Sequence, residues 1–155
     1  MLRVAKLLML AAVCWASLLS AAGNTQEPMR VETVTVTTVK GSFNFQTEIA
    51  DTRAARERGL MFRKTMQPDH AMLFDWGQPL VASMWMQNTY ISLDMLFIAG
   101  DGTVRSVAQN TKPLSRDIVS AGIKVAAVLE VVAGTAKRIG LKPGDKVAHP
   151  IFDGS

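Results

Sequence analysis

The sequence predicts a mainly β protein, an antiparallel β-sandwich or a jelly-roll or barrel-like single domain with one or two short helices. Three observations carry this expectation. β-Branched residues crowd the stretch "VETVTVTTV" at 31–39, and such side chains suit a pleated surface better than a helix. Extended pieces then recur at roughly ten-residue spacing between turn residues, the rhythm of a sandwich or barrel. Helix signals are confined to "ADTRAARERGLM" and "GTAKRIG". A chain of 155 residues, 48% of them hydrophobic, fits one globular domain.

Before the first strand, Arg3 and Lys6 precede an apolar run at 7–19 and the small residues Ser20, Ala21 and Ala22. That is the plan of a signal peptide, and the run is shorter than the roughly 20 residues a spanning helix needs. Residues 1–22 are therefore expected to be a signal peptide, 23–40 a flexible leader and the first strand, and 41–152 the β domain. A periplasmic or secreted location follows, with no stable membrane span after cleavage. The only cysteine, Cys14, lies in the signal run, so the mature chain has no disulfide, thiolate nucleophile or cysteine-based zinc site. The formal charge of +4 includes Arg3 and Lys6, and removing those two leaves about +2. No basic stripe is present to track phosphates, and nucleic acid is not an expected partner.

The elements follow in order. "FNFQTEI" alternates Phe43, Phe45, Thr47 and Ile49 with other neighbours and reads as a second strand after a turn at Gly41 and Ser42. Asp51 or Thr52 can cap a two-turn helix that Gly59 stops, its arginines Arg53, Arg56 and Arg58 mostly solvated. Strands are then expected at 71–74, 81–87, 93–98 and 104–108, with "DWGQP" as a loop and Ala99-Gly100-Asp101-Gly102 as a hairpin connection. A long irregular segment leads to a strand at 125–132, a short helical turn, and a last strand at 146–151.

Alternation along strands singles out two carboxylates. Asp94 shares a row with Leu96 and Ile98, and Glu130 shares one with Ala126, Val128 and Val132. A buried carboxylate needs donors or a cation, or else its pKa rises. In one reading both are structural: Asp94 accepts from amides of the turn at 88–92, and Glu130 pairs with Arg58 or Arg63. In the other they flank a pocket as acid and base. Asn88 and Thr89 suit a tight turn, and Trp85 can stack on a sugar. Met84 and Met86 stand beside Trp85 in an expected exported chain, which opens a reading as a Cu(I) carrier, although methionine also fills irregular cores. His70 and His149 give no ligand spacing. The chain has no G-x-S-x-G, no H-E-x-x-H and no phosphate- or dinucleotide-binding glycine loop.

In order along the chain, "RGLMFR", "AMLF", "WMQNTYISLDMLFI", "DGTV", "AVLEVVAG" and "GLKPGDKV" resemble the pattern of the bacterial and archaeal exported proteins catalogued as domain of unknown function 192. The likeness spans residues 43–151. It implies a compact, mostly β domain behind a signal peptide or anchor and brings no established activity. The pattern often has proline where this chain has Ser92. Carried over, it implies a cluster of Arg58, Met61, Arg63, Trp85, Met86, Asn88, Asp94 and Glu130. The expectation is an exported binding or accessory domain with a small-ligand pocket, a carbohydrate being the candidate ligand. Arg58, Arg63, Trp85, Asn88, Asp94 and Glu130 are its ligand-binding residues, with no catalytic residue assigned. No cofactor and no resident metal are expected. The alternatives are an acid/base enzyme using Asp94 and Glu130, or the Cu(I) carrier using Met84 and Met86. The partner is a small molecule or an envelope component.

Overall fold

The computed structural model describes residues 28–152, so the expected signal segment and Cys14 lie outside the described residues. Seven strands form one sheet in the order β5-β4-β6-β3-β2-β1-β7. They are β1 (Val31–Thr38), β2 (Gly41–Ala50), β3 (His70–Val81), β4 (Leu93–Ile98), β5 (Val104–Ala108), β6 (Lys124–Val132) and β7 (Lys146–Ala148), with helices α1 (Arg53–Arg58) and α2 (Thr135–Ile139). A 3₁₀ turn at Pro150–Phe152 stands where a longer last strand was expected, because Pro150 has no amide to give to a ladder.

All neighbouring strands are antiparallel except β2 and β3, which run parallel with Gln46 beside His70 and Ala50 beside Phe74. A parallel pair requires a long crossover, and residues 51–69, including α1, supply it. β3 also runs further than expected. Its register against β6 breaks between Asp75 and Leu80, where Gly77 takes φ +67° and donates to Asp75 Oδ1 at 2.7 Å. The expected loop "DWGQP" is thus a bulge inside a strand. The expected strand at 81–87 reduces to a single bridge, Met84 with Val119.

The sheet curls into a half-barrel whose two edge strands, β5 and β7, touch only where each begins. Val104 donates to Asp145 O at 2.9 Å, Gly144 to Val104 O at 2.8 Å and Val147 to Gly102 O at 2.8 Å. Glycine is required at the hairpin there, since a Cβ on Gly102 would lie 2.3 Å from Val147 O. Such a contact shields part of the unpaired strand edges.

Both faces of the central strands are buried, in two distinct cores. The concave face holds Val34, Val36, Phe45, Ile49, Leu73, Leu96, Leu129 and Val131, sealed by α2 and Leu141. The convex face holds Met72, Phe74, Leu93, Met95, Phe97 and Val128, covered by Ala55, Leu60, Met84 and Met86 from α1 and the loops. Strand β4 is buried along its entire length, as expected for a strand with a packed layer on each side.

Candidate functional site

Strand parity places Glu130 on the convex face. Its neighbours Leu129 and Val131 belong to the concave core, and its cross-strand partners Met72 and Met95 belong to the convex one. A single row, Glu48–Met72–Glu130–Met95, therefore crosses four strands on that side. Glu48, at one end of this row, takes Arg63 in a bidentate pair at 2.6 Å on each oxygen. Glu130, in the middle, is 4% exposed.

Among the described residues no hydrogen bond or ion pair reaches the Glu130 carboxyl. The expectation that Arg58 or Arg63 would neutralise it is corrected: Glu48, two strands away on β2, engages Arg63, and Arg58 is exposed to solvent. Burial without a cation pushes Glu130 up to about 8, which leaves the group largely protonated at neutral pH.

Above Glu130 opens a cavity of about 360 Å³. Leu60, Met84 and Phe74 line its apolar part, and Trp76, Trp85 and Arg58 line its polar and aromatic part. Helix α1 forms one wall. Thr52 caps it by accepting from Ala55 N at 3.1 Å, and Gly59 ends it at φ +47°, where a Cβ would lie 3.1 Å from the Phe74 ring. That close approach brings the arginine face of the helix over the strand. Arg56 donates to Asp75 O at 2.6 Å, fastening α1 to β3, and Arg53 pairs with Glu57 at 2.7 Å. Phe74 and Trp76, two apart on one face of β3, stack with ring centroids 6.3 Å apart.

Asp94 is elsewhere. It sides with Leu96 and Ile98 on the concave face, fully buried, and accepts from Asn110 N at 2.9 Å and from Ala136 N, in the first turn of α2, at 2.8 Å. Its donors are not the amides of the turn at 88–92 that the sequence suggested. Because Asp94 and Glu130 point to opposite sides of one sheet, the acid/base pair is overturned: no common opening can hold both. Asp94 is likewise removed from the ligand-binding set.

Of the other expected residues, Arg58 and Trp85 line the cavity, and Arg63 and Asn88 do not. Asn88 shapes the rim instead. It takes φ +56° in a turn closed by Thr89 N to Met86 O at 3.0 Å, and its amide reaches Met61 Sδ at 3.8 Å. Met84 reaches the cavity, whereas the Met86 sulfur is buried and accepts from Thr111 Oγ1 at 3.2 Å. The two thioethers of the copper reading therefore do not share an opening. Sequence reasoning missed Trp76, assigned to a loop, and Arg53 and Arg56, assigned to solvent. The three-residue interval of those arginines, which places them on one helix face, was the available signal.

The sequence profile of the family catalogued as domain of unknown function 192, described as "Uncharacterized ACR", matches residues 35–149. A Sinorhizobium meliloti protein whose crystal structure carries a provisional transcription-regulator label is 44% identical with a TM-score of 0.78, the alignment covering 81% of this chain and 98% of that one. A Novosphingobium aromaticivorans protein of unknown function is 39% identical with a TM-score of 0.76, covering 78% of this chain and 86% of that one. Among curated proteins none matches significantly.

Proposed function

This chain belongs to the domain-of-unknown-function 192 family, and we propose that it is an exported binding or accessory module of the bacterial envelope whose convex-face cavity takes a small ligand, a carbohydrate being the class its lining suits. Glu130 carries the reading. The residue is 4% exposed and its carboxyl group has no protein partner among the described residues, so it favours a partner of matching chemistry in the cavity, and a ligand hydroxyl is one. In its neutral form the group donates to one oxygen and accepts from another. Trp85, about half exposed at 49%, offers a flat face on which a sugar ring stacks, and Arg58 offers donors at the mouth. A cavity of this size holds one or two sugar rings.

Export rests on the basic, apolar and small-residue order of the first 22 residues. Titration calorimetry against neutral and acidic mono- and disaccharides tests the binding reading. The expected outcome is a saturable heat that weakens about tenfold or more in Glu130→Gln and in Trp85→Ala. Saturable binding that survives both substitutions together would remove the cavity from consideration, and silence across the whole panel would remove the carbohydrate class.

A further inference from the structure

Beside the cavity mouth, three segments lie side by side: residues 58–64, 83–90 and 112–119. Phe62 N donates to Asn88 O at 2.7 Å, Leu114 N to Thr89 O at 3.1 Å and Met86 N to Ser115 O at 3.0 Å. These bonds hold the first and third segments against the middle one, and five large apolar side chains face solvent from them: Phe62 at 54%, Trp85 at 49%, Tyr90 at 47%, Leu114 at 57% and Ile118 at 60% exposure. Phe62 and Tyr90 meet edge to face with centroids 6.2 Å apart. The backbone accepts an unfavourable conformation there, φ +66° at Phe62 and +63° at Leu114. Bulky residues rarely adopt such angles, and here neither side chain gains burial from it.

The same segments hold the chain's excess of positive charge. Residues 28–152 contain fifteen lysines and arginines and eleven aspartates and glutamates; these three segments hold five of the former (Arg58, Arg63, Lys64, Lys112 and Arg116) and one of the latter (Asp117), leaving ten of each elsewhere. Arg63 is partly offset by Glu48. Exposed aromatic and aliphatic side chains on segments that also carry these cations match the boundary of an anionic bilayer, where apolar tips enter the acyl edge and Lys or Arg meets phosphate headgroups. We propose that this face is a membrane-surface docking site for anionic phospholipid, which would hold the cavity mouth close to the bilayer.

Hydrogen–deuterium exchange of the full chain with vesicles tests this, using either pure phosphatidylcholine or equal parts phosphatidylcholine and phosphatidylglycerol. Each variant keeps the same N-terminal residues, so differences report this face. The expected result is protection of 59–64, 88–90 and 112–118 on the anionic vesicles alone. It should weaken about tenfold or more in lipid concentration for Phe62→Ser with Tyr90→Ser and Leu114→Ser. A melting curve checks that this variant folds. Lys112→Glu with Arg116→Glu, which leaves the apolar tips intact, must weaken the protection as well. The proposal is overturned by equal protection on phosphatidylcholine, by protection unchanged in either variant, or by no protection on any vesicle. Protection that rises with protein concentration in the absence of lipid also overturns it, since the occupant is then a second copy of the chain.

Discussion

Asp94 and Glu130 stand on the neighbouring strands β4 and β6, each in a row of apolar side chains, and their surroundings are opposite. Asp94 lies on the concave face with a backbone amide on each oxygen. Glu130 lies on the convex face with no protein donor among the described residues and a cavity above it. Both are buried carboxylates by sequence, yet the first is a joint of the scaffold and the second faces the cavity. Asp94 ties the start of α2 and the residues after β5 to the sheet, two segments far apart in the chain. The comparison shows that burial of a carboxylate carries little functional meaning until its partners are counted.

The largest effect expected from separating the two is at Asp94. Asp94→Ala leaves the amides of Asn110 and Ala136 buried and unpaired, and it should lower unfolding free energy by about 3 kcal/mol. Urea denaturation measures this, and a loss below about 1 kcal/mol would mean that water takes over both amides.

Glu130 is expected to act through pH. Its folded-state pKa of about 8 lies above the ordinary 4.5, so between those values the folded chain keeps a proton that the unfolded chain releases. Stability is then fully present below the ordinary value, falls as pH rises, and levels off above the folded value. The slope is roughly 1 kcal/mol per pH unit. Glu130→Gln should flatten that slope and overtake the wild type in stability at the alkaline end, as melting curves across the pH range will show. Parallel slopes for the two proteins would place the proton elsewhere.

Smaller effects sharpen the contrast from the rim. Arg63→Ala breaks the pair with Glu48, which is partly solvated, and should cost at most about 1 kcal/mol. It should leave cavity binding unchanged, because Arg63 is not part of the lining. Trp85→Ala should shift stability by no more than about 0.5 kcal/mol while weakening saccharide binding. A large loss of stability there would instead make the indole part of the fold.

Much of the fold was legible in the sequence, because period-two alternation and turn chemistry are local signals. Strand parity correctly paired Asp94 with Leu96 and Ile98, and Glu130 with Val128. Parity could not say that the two rows lie on opposite faces, since β4 and β6 are covered on both sides and each face reads as apolar. The donors to Asp94 come from 16 and 42 residues away in the chain, a distance at which no pattern operates. The bulge at Gly77 hid the length of β3, and with it the position of Trp76 over the cavity. Competition for Arg63 was equally invisible: Glu48 shows its role only once β2 and β3 are known to run parallel.

A carbon-13 carboxyl titration by NMR, with Glu130→Gln assigning the resonance, decides whether Glu130 holds its proton at neutral pH. A Glu130 carboxyl with no partner among the described residues, beneath the cavity, predicts a midpoint near 8 that moves when a saccharide binds. A midpoint in the ordinary carboxylate range, about 4 to 4.5, would contradict it by showing that the group is solvated or paired.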